Sequence, residues 1–358
     1  MAALLELSHE LLHCIFTEVE PVTLASLNLT CRDLHHYIKG NRLLHKDIYL
    51  QHYDEPRENE TIDWERQMHD LTKMDRILES DDRESKLKHR AFVGAQVMAM
   101  ISSASVDHDT SLNLQLLSDY FADTNNIDVL LCASSLFGRT ESELQKPAET
   151  PELQQLSAKL HCMFGVPADQ VPRPQTFDQS LSPSSCTRAR TRPQMLHTFA
   201  RSRVYDLRQY TDHTLWGPFM DDGRQSVDWE KVEAIMIVLG FNLNKFTERS
   251  DGRFAPVWTR PFVGATPGSY ASHAAVPGPE KEEADNMLKI RELALSLDAQ
   301  DPYGVTGTWM RVVCFLDYND LYAFNFSQRI PDDEPREPID TEEGIINLSE
   351  AVCMTLSG

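Results

Sequence analysis

Residues 7–40 read LSHELLHCIFTEVEPVTLASLNLTCRDLHHYIKG, and the spacing of their apolar positions decides how the chain begins. Leu11, Leu12, Ile15, Phe16 and Val19 recur at helical period behind Ser8, whose hydroxyl suits an N-cap. Pro21 closes that segment. Thr23 is placed to cap a second turn carrying Leu24 and Leu27. Thr30 with Asp33 has the spacing of a capping box for a third helix, which lines up Cys31, Leu34 and Ile38 before Gly40 ends it. A unit of three short helices buries too little surface to be stable alone, so it needs neighbours.

The histidines of this region, His9, His13, His35, His36, His45 and His52, raise the question of a metal. His9 and His13 are four apart beside Cys14 and could share a helix face, as metal-binding pairs do. A zinc site needs further ligands converging in space, and the remaining histidines fall on mixed faces with no CxxC or HxxxH companion. The reading is that they are solvated or packing residues, and that the protein holds no metal and no cofactor.

Written with its gaps, the opening is Leu7-Ser8-x-Glu10-Leu11-Leu12-x-x-Ile15-Phe16, then Pro21-x-Thr23-Leu24-x-x-Leu27, then Cys31-Arg32. These residues resemble the F-box, whose pattern runs Leu-Pro-x-Glu-Leu, Ile-Phe, Pro-x-Asp-Leu, Leu and Cys-Arg at these spacings. The chain departs from it at Ser8, where the family favours Pro, and at Thr23, where it favours Asp. Each change replaces one helix-start residue by another. The resemblance implies a module over residues 1–50 that docks on the Skp adaptor of a cullin-RING ubiquitin ligase through Leu7, Leu11, Leu12, Ile15, Leu24, Leu27, Cys31 and Leu34.

Downstream, residues 51–164 keep a helical pattern, with segments such as WERQMHDLTKMDRIL and LKHRAFVGAQVMAMI divided by acidic, Ser, Asn or Pro breaks. Residues 165–199 are rich in Pro and Ser and read as a linker or exposed loop. Arg188, Arg190, Arg192, Arg201 and Arg203 form a local basic cluster there, read as a solvated loop that pairs with the protein's own carboxylates rather than as a targeting patch. In residues 200–358 the segment VDWEKVEAIMIVLGF predicts a helix capped by Asp228, with Trp229, Val232, Ile235, Met236 and Leu239 on its inner face. A further helix is expected over EEADNMLKIRELALSL and another around Ile345 to Met354. GTWMRVVCFL and LYAFNF, either side of DYND, carry a hairpin signal. The expected fold class is therefore α+β: an N-terminal three-helix F-box and helical body, then a mixed region with a β-hairpin or partial sheet.

Composition bounds the rest. In 358 residues, 41% hydrophobic, there is material for more than one core. A formal charge of −21 repels nucleic-acid phosphates and anionic membrane surfaces, which leaves proteins as the partners. No apolar run spans a bilayer and the opening is not a signal peptide, and seven cysteines without tight pairing suit a reducing compartment, so a cytoplasmic or nuclear location is expected. There is no GxSxG, phosphate-binding glycine loop or HExxH. The second half also resembles the region after the F-box in a group of large fungal F-box proteins, where further strands follow, which implies a shortened chain here. The function expected is that of a non-catalytic substrate receptor, bound through the adaptor to a cullin scaffold and reading a protein substrate with Trp216, Trp258, Trp309, Arg311, Tyr318 and Tyr322. The alternative is a small-ligand-binding or enzymatic β-containing domain behind an unrelated helical subdomain.

Overall fold

The computed structural model describes residues 6–56, 62–105, 110–140, 144–165, 196–249, 261–265 and 313–339 save 333, with residues 4 and 142 and the backbone of 307–309, 344–346 and 352–354. The chain divides into two compact units. The first comprises Met1–Gly165 with Arg260–Thr266, the second the bulk of 176–259 and 267–358.

The first unit opens with helices α1 (His9–Thr17), α2 (Pro21–Asn28), α3 (Arg32–Ile38) and α4 (Arg42–His52). Ser8 caps α1 as its spacing predicted, its hydroxyl accepting the Leu11 N–H at 3.5 Å. The other two caps differ. Helix α2 starts at Pro21 itself, so Thr23 lies inside it, and α3 starts from Cys31 with no side-chain cap while the Thr30 hydroxyl donates back to the Leu27 carbonyl. A proline at the first helical position sacrifices only an N–H that had no helical partner, and it displaces the start three residues upstream of the expected one.

The body continues with α5 (Trp64–Glu79), the short α6 (Arg83–Lys88), α7 (Arg90–Ser103) and α8 (Leu112–Tyr120), then short helical turns between residues 124 and 138, and α9 (Pro151–Phe164). Leu44, Ile48, Trp64, Leu71, Met74, Val97 and Leu117 are fully enclosed and form the core. Polar clips fix the loops. The Asp54 carboxylate accepts from Ser105 N (2.9 Å), Ser111 Oγ (2.5 Å) and Leu112 N (3.0 Å), tying the end of α4 to the start of α8. Close approach of α7 to α9 requires Gly94, where a Cβ would sit 2.7 Å from Leu156 Cδ2. Phe262, from the 261–265 segment, packs on Phe121 and Phe164 with ring centroids 5.4 and 5.5 Å away, wholly buried and held at φ +60°. A left-handed phenylalanine is strained, and here its ring is the third member of an aromatic cluster.

In the second unit, helix α10 (196–204), α11 (Trp229–Arg249) and α12 (Tyr318–Phe326) are joined by polar contacts. Residues 196–199 thus belong to a helix, and so do Arg201 and Arg203 of the basic cluster. Arg188, Arg190 and Arg192, like the helix expected over 282–297, lie outside the described residues.

The expected α+β class is overturned: the protein is helical. The second arm of the predicted hairpin, Leu321 to Phe326, is part of α12, which Asp317 caps by accepting the Asn319 N–H at 2.8 Å. Tyr318, Tyr322 and Phe326 recur at four-residue spacing, a helical period, and that period prevails over the aromatic content that suggested a strand. Among the described residues, β-pairing is limited to an isolated bridge between Phe219 and Val227 and to three-residue strands. β1 (Gly307–Trp309) pairs with β4 (Val352–Met354), and β2 (Val313–Phe315) with β3 (Gly344–Ile346), in separate two-stranded ladders too short to found a sheet. The helix expected around Ile345 to Met354 is replaced at its two ends by β3 and β4.

Candidate interaction surfaces

Helix α1 carries two neighbouring apolar rows, one buried and one exposed. Leu12 and Phe16 point inward and are buried, and Tyr37 of α3 stacks on His9 at 5.6 Å while its hydroxyl donates to the His9 carbonyl at 3.1 Å. On the outer side, Leu7, Leu11 and Ile15 follow at four-residue spacing and are 37%, 53% and 40% exposed. The remaining residues predicted to meet an adaptor divide differently. Leu12, Leu24 and Leu34 are buried in the chain's own core, and Leu27 and Cys31 are half-buried. The residues expected to meet an adaptor thus stand in different environments: Leu7, Leu11 and Ile15 are exposed, whereas Leu12, Leu24 and Leu34 are buried among the helices.

Three more histidines of the region have local partners. His13 Nε2 lies 2.8 Å from Asp47 Oδ2, joining α1 to α4, and His35 Nδ1 lies 3.0 Å from Asn28 Oδ1. His45 is buried, and its Nε2 is 3.1 Å from the Ile38 carbonyl. Burial holds the His45 pKa below the ordinary imidazole range, with Glu65 acting in the opposite direction, so the ring is neutral and its Nε2–H donates. Among the described residues, no three His, Cys, Asp or Glu side chains are grouped to hold a metal ion.

Three of the predicted substrate-reading residues in the second unit are exposed: Trp216 (65%), Tyr318 (73%) and Tyr322 (55%). Trp216 sits on a tight turn in which both it and Leu215 have positive φ, 56° and 49°. Reciprocal hydrogen bonds between Thr211 and Thr214 and a bond from Trp216 Nε1 to Asp212 Oδ1 at 2.9 Å hold that turn. Bulky residues at positive φ are costly, and the turn presents an indole to solvent despite that cost. Tyr318 and Tyr322 run along α12 towards Phe326 with centroid separations of 6.4 and 5.1 Å. Trp309 contributes only its backbone to β1 in the described structure, and Trp258 and Arg311 lie outside the described residues.

Behind these aromatics is a polar support that sequence reasoning missed. Asp206, nearly inaccessible, accepts from Arg208 (Nη2, 2.8 Å) and Arg336 (Nε, 3.2 Å), while Asn325 of α12 accepts the Leu207 N–H at 2.9 Å and donates to the Tyr205 carbonyl at 3.0 Å. Burial pushes the Asp206 carboxyl up, but the hydrogen bonds from Arg208 and Arg336 outweigh it and hold the pKa below the usual carboxylate range. Lys231 lies 3.4 Å over the Tyr210 ring and donates to the Gln209 carbonyl; burial lowers its pKa to about 8.

No helix among the described residues is long and apolar enough to cross a membrane. Compared with family models, with curated proteins and with solved structures, the chain finds no match in any of the three.

Proposed function

We propose that this chain is a substrate receptor that docks on a Skp-type adaptor through the outer face of α1 and holds a protein substrate for ubiquitination by the attached cullin-RING machinery. The observation that carries the reading is the pair Leu11 and Ile15, exposed on a helix whose Leu12 and Phe16 are buried, with the exposed Leu7 just before the Ser8 cap. Large apolar side chains aligned along one helix face gain roughly 1.5–3 kcal/mol each when a partner covers them, and a helix face read at i and i+4 is a recurrent docking mode. The receptor performs no chemistry of its own; it raises the local concentration of a substrate lysine beside the charged conjugating enzyme. The exposed Trp216, Tyr318 and Tyr322 are suited to the substrate side, because aromatic anchors offer large contact area for few rotatable bonds.

The test uses Leu11→Asp with Ile15→Asp. Both positions are exposed, so the fold should persist, and co-purification with a Skp adaptor should be lost. Leu24→Asp would not serve, since Leu24 is buried and the variant would report unfolding. A folded Leu11→Asp/Ile15→Asp protein that still recovers the adaptor in full would refute the docking face.

A further inference from the structure

Between α2 and α5 the first unit contains a cavity of about 390 Å³, within the range of small-ligand sites, roughly 300–1,000 Å³. Leu24, Ile38, Met68 and Ile77 supply its apolar lining, and Ala25 and Asn28 of α2 also border it. Its charged lining is mostly basic in a protein whose net charge is −21: Lys73 and Arg76 of α5 are the cations, and the imidazoles of His45, His69 and His89 complete the basic side chains around it. Glu65 is the lone acid among the lining residues, and its carboxylate already accepts the Gly40 N–H at 2.8 Å. Lys73 and Arg76 have no carboxylate partner among the described residues, and the Lys73 ammonium rests 4.4 Å over the Phe92 ring.

These features point to one class of occupant. Apolar walls without a cationic rim would suit any apolar body, and a cationic rim without a cavity would be a solvated helix face. Together they match a molecule with an apolar body and one negative charge. We propose that the cavity between α2 and α5 binds a small amphipathic carboxylate, its apolar body against Leu24, Ile38, Met68 and Ile77 and its charge at the mouth beside Lys73 and Arg76. The outer face of α1 plays no part in this site, so the two can be tested separately.

Displacement of anilinonaphthalene sulfonate from the full-length protein, followed by fluorescence, tests it with decanoate and decylamine as competitors. Decanoate should displace the dye with one-to-one stoichiometry, and decylamine should compete at least about tenfold less well, a difference of about 1.4 kcal/mol. Lys73→Glu with Arg76→Glu, both at exposed positions, should remove that preference, and Ala25→Trp, which fills the mouth, should abolish displacement by either compound. Equal competition by decanoate and decylamine, displacement without saturation, or unchanged affinity in both variants would overturn the site. Saturable binding of an acidic peptide with no binding of decanoate would also overturn it, and would make the cavity a peptide groove.

Discussion

Leu44 in the first unit and Asp206 in the second are both enclosed by their own chain, yet the forces around them have little in common. Leu44 is surrounded by the apolar core built from α4 and its neighbours, where contact is non-directional and a lost methyl group costs in proportion to the space it leaves. Asp206 is enclosed by the guanidinium groups of Arg208 and Arg336, the latter 130 positions away in sequence, so its surroundings are directional and conditional on charge. The second unit also buries apolar residues such as Phe199, Ile237 and Val238, but around Asp206 its segments meet through ions, whereas around Leu44 they meet through apolar contact. That contrast sets how each should fail.

The largest expected effect is Asp206→Ala, which strands the buried Arg336. Removing one partner of a buried pair costs about 3–5 kcal/mol, and urea unfolding should show it as a loss of the second unit's transition. Leu44→Ala should cost about 2–5 kcal/mol through a cavity in the first unit and leave the second unit's transition in place. If Asp206→Ala proves as mild as an exposed substitution, the ion network is ornamental and the contrast collapses.

Acid should separate the units next. Asp206 has a depressed carboxyl pKa, so its stabilisation is full at neutral pH and is lost as the pH falls through its folded value. Asp75 runs the other way: burial raises its pKa, and the hydrogen bonds donated by Tyr120 and Tyr53 offset that only in part. Its ionised form is disfavoured in the folded state, so protonation favours the first unit. Below about pH 4, the usual carboxylate range, hydrogen exchange should rise in α10 and α12 before it rises in α5. The reverse order would show that the carboxylates of the first unit dominate.

The smallest effect sharpens the comparison at the edge of the first unit. Ser8→Ala removes the cap of α1 and should cost about 0.5–1 kcal/mol, visible as a shift of one or a few degrees in Tm, while adaptor recovery should remain because Leu11 and Ile15 keep their places.

Much of the first unit was legible because water exclusion leaves a periodic trace. Helices α1 to α3, the Ser8 cap and the inward Phe16, Leu34 and Ile38 follow from apolar spacing, whereas α4, a fourth helix within the first 52 residues, was not expected. What the spacing did not reveal was which leucines face outward, since Leu11 and Leu12 are equivalent until the neighbours of α1 are placed. In the second unit the same rule misassigns α11. The predicted inner face, Trp229 to Leu239 at helical spacing, is half-buried or exposed, and the structure encloses Glu230, Lys231, Glu233, Ala234, Ile237 and Val238. A periodicity argument places charges in solvent, whereas here Arg203 reaches Glu230 and Asp228 at 3.5 and 3.4 Å and Tyr210 shields Lys231. The cavity was hidden for a related reason. Its walls come from several helices, and no one segment carries its signature.

Phe262 bears on the order in which the molecule can be made. The aromatic cluster it completes has its other members, Phe121 and Phe164, before the end of α9, so on the ribosome those two rings emerge first and wait for the third. Roughly a hundred further residues must be synthesised in between, which at about 5–20 residues per second amounts to roughly 5–20 s. During that interval the nascent first unit carries an open apolar socket, a natural place for a chaperone to hold it. A truncation that stops at the apparent linker leaves the socket open permanently.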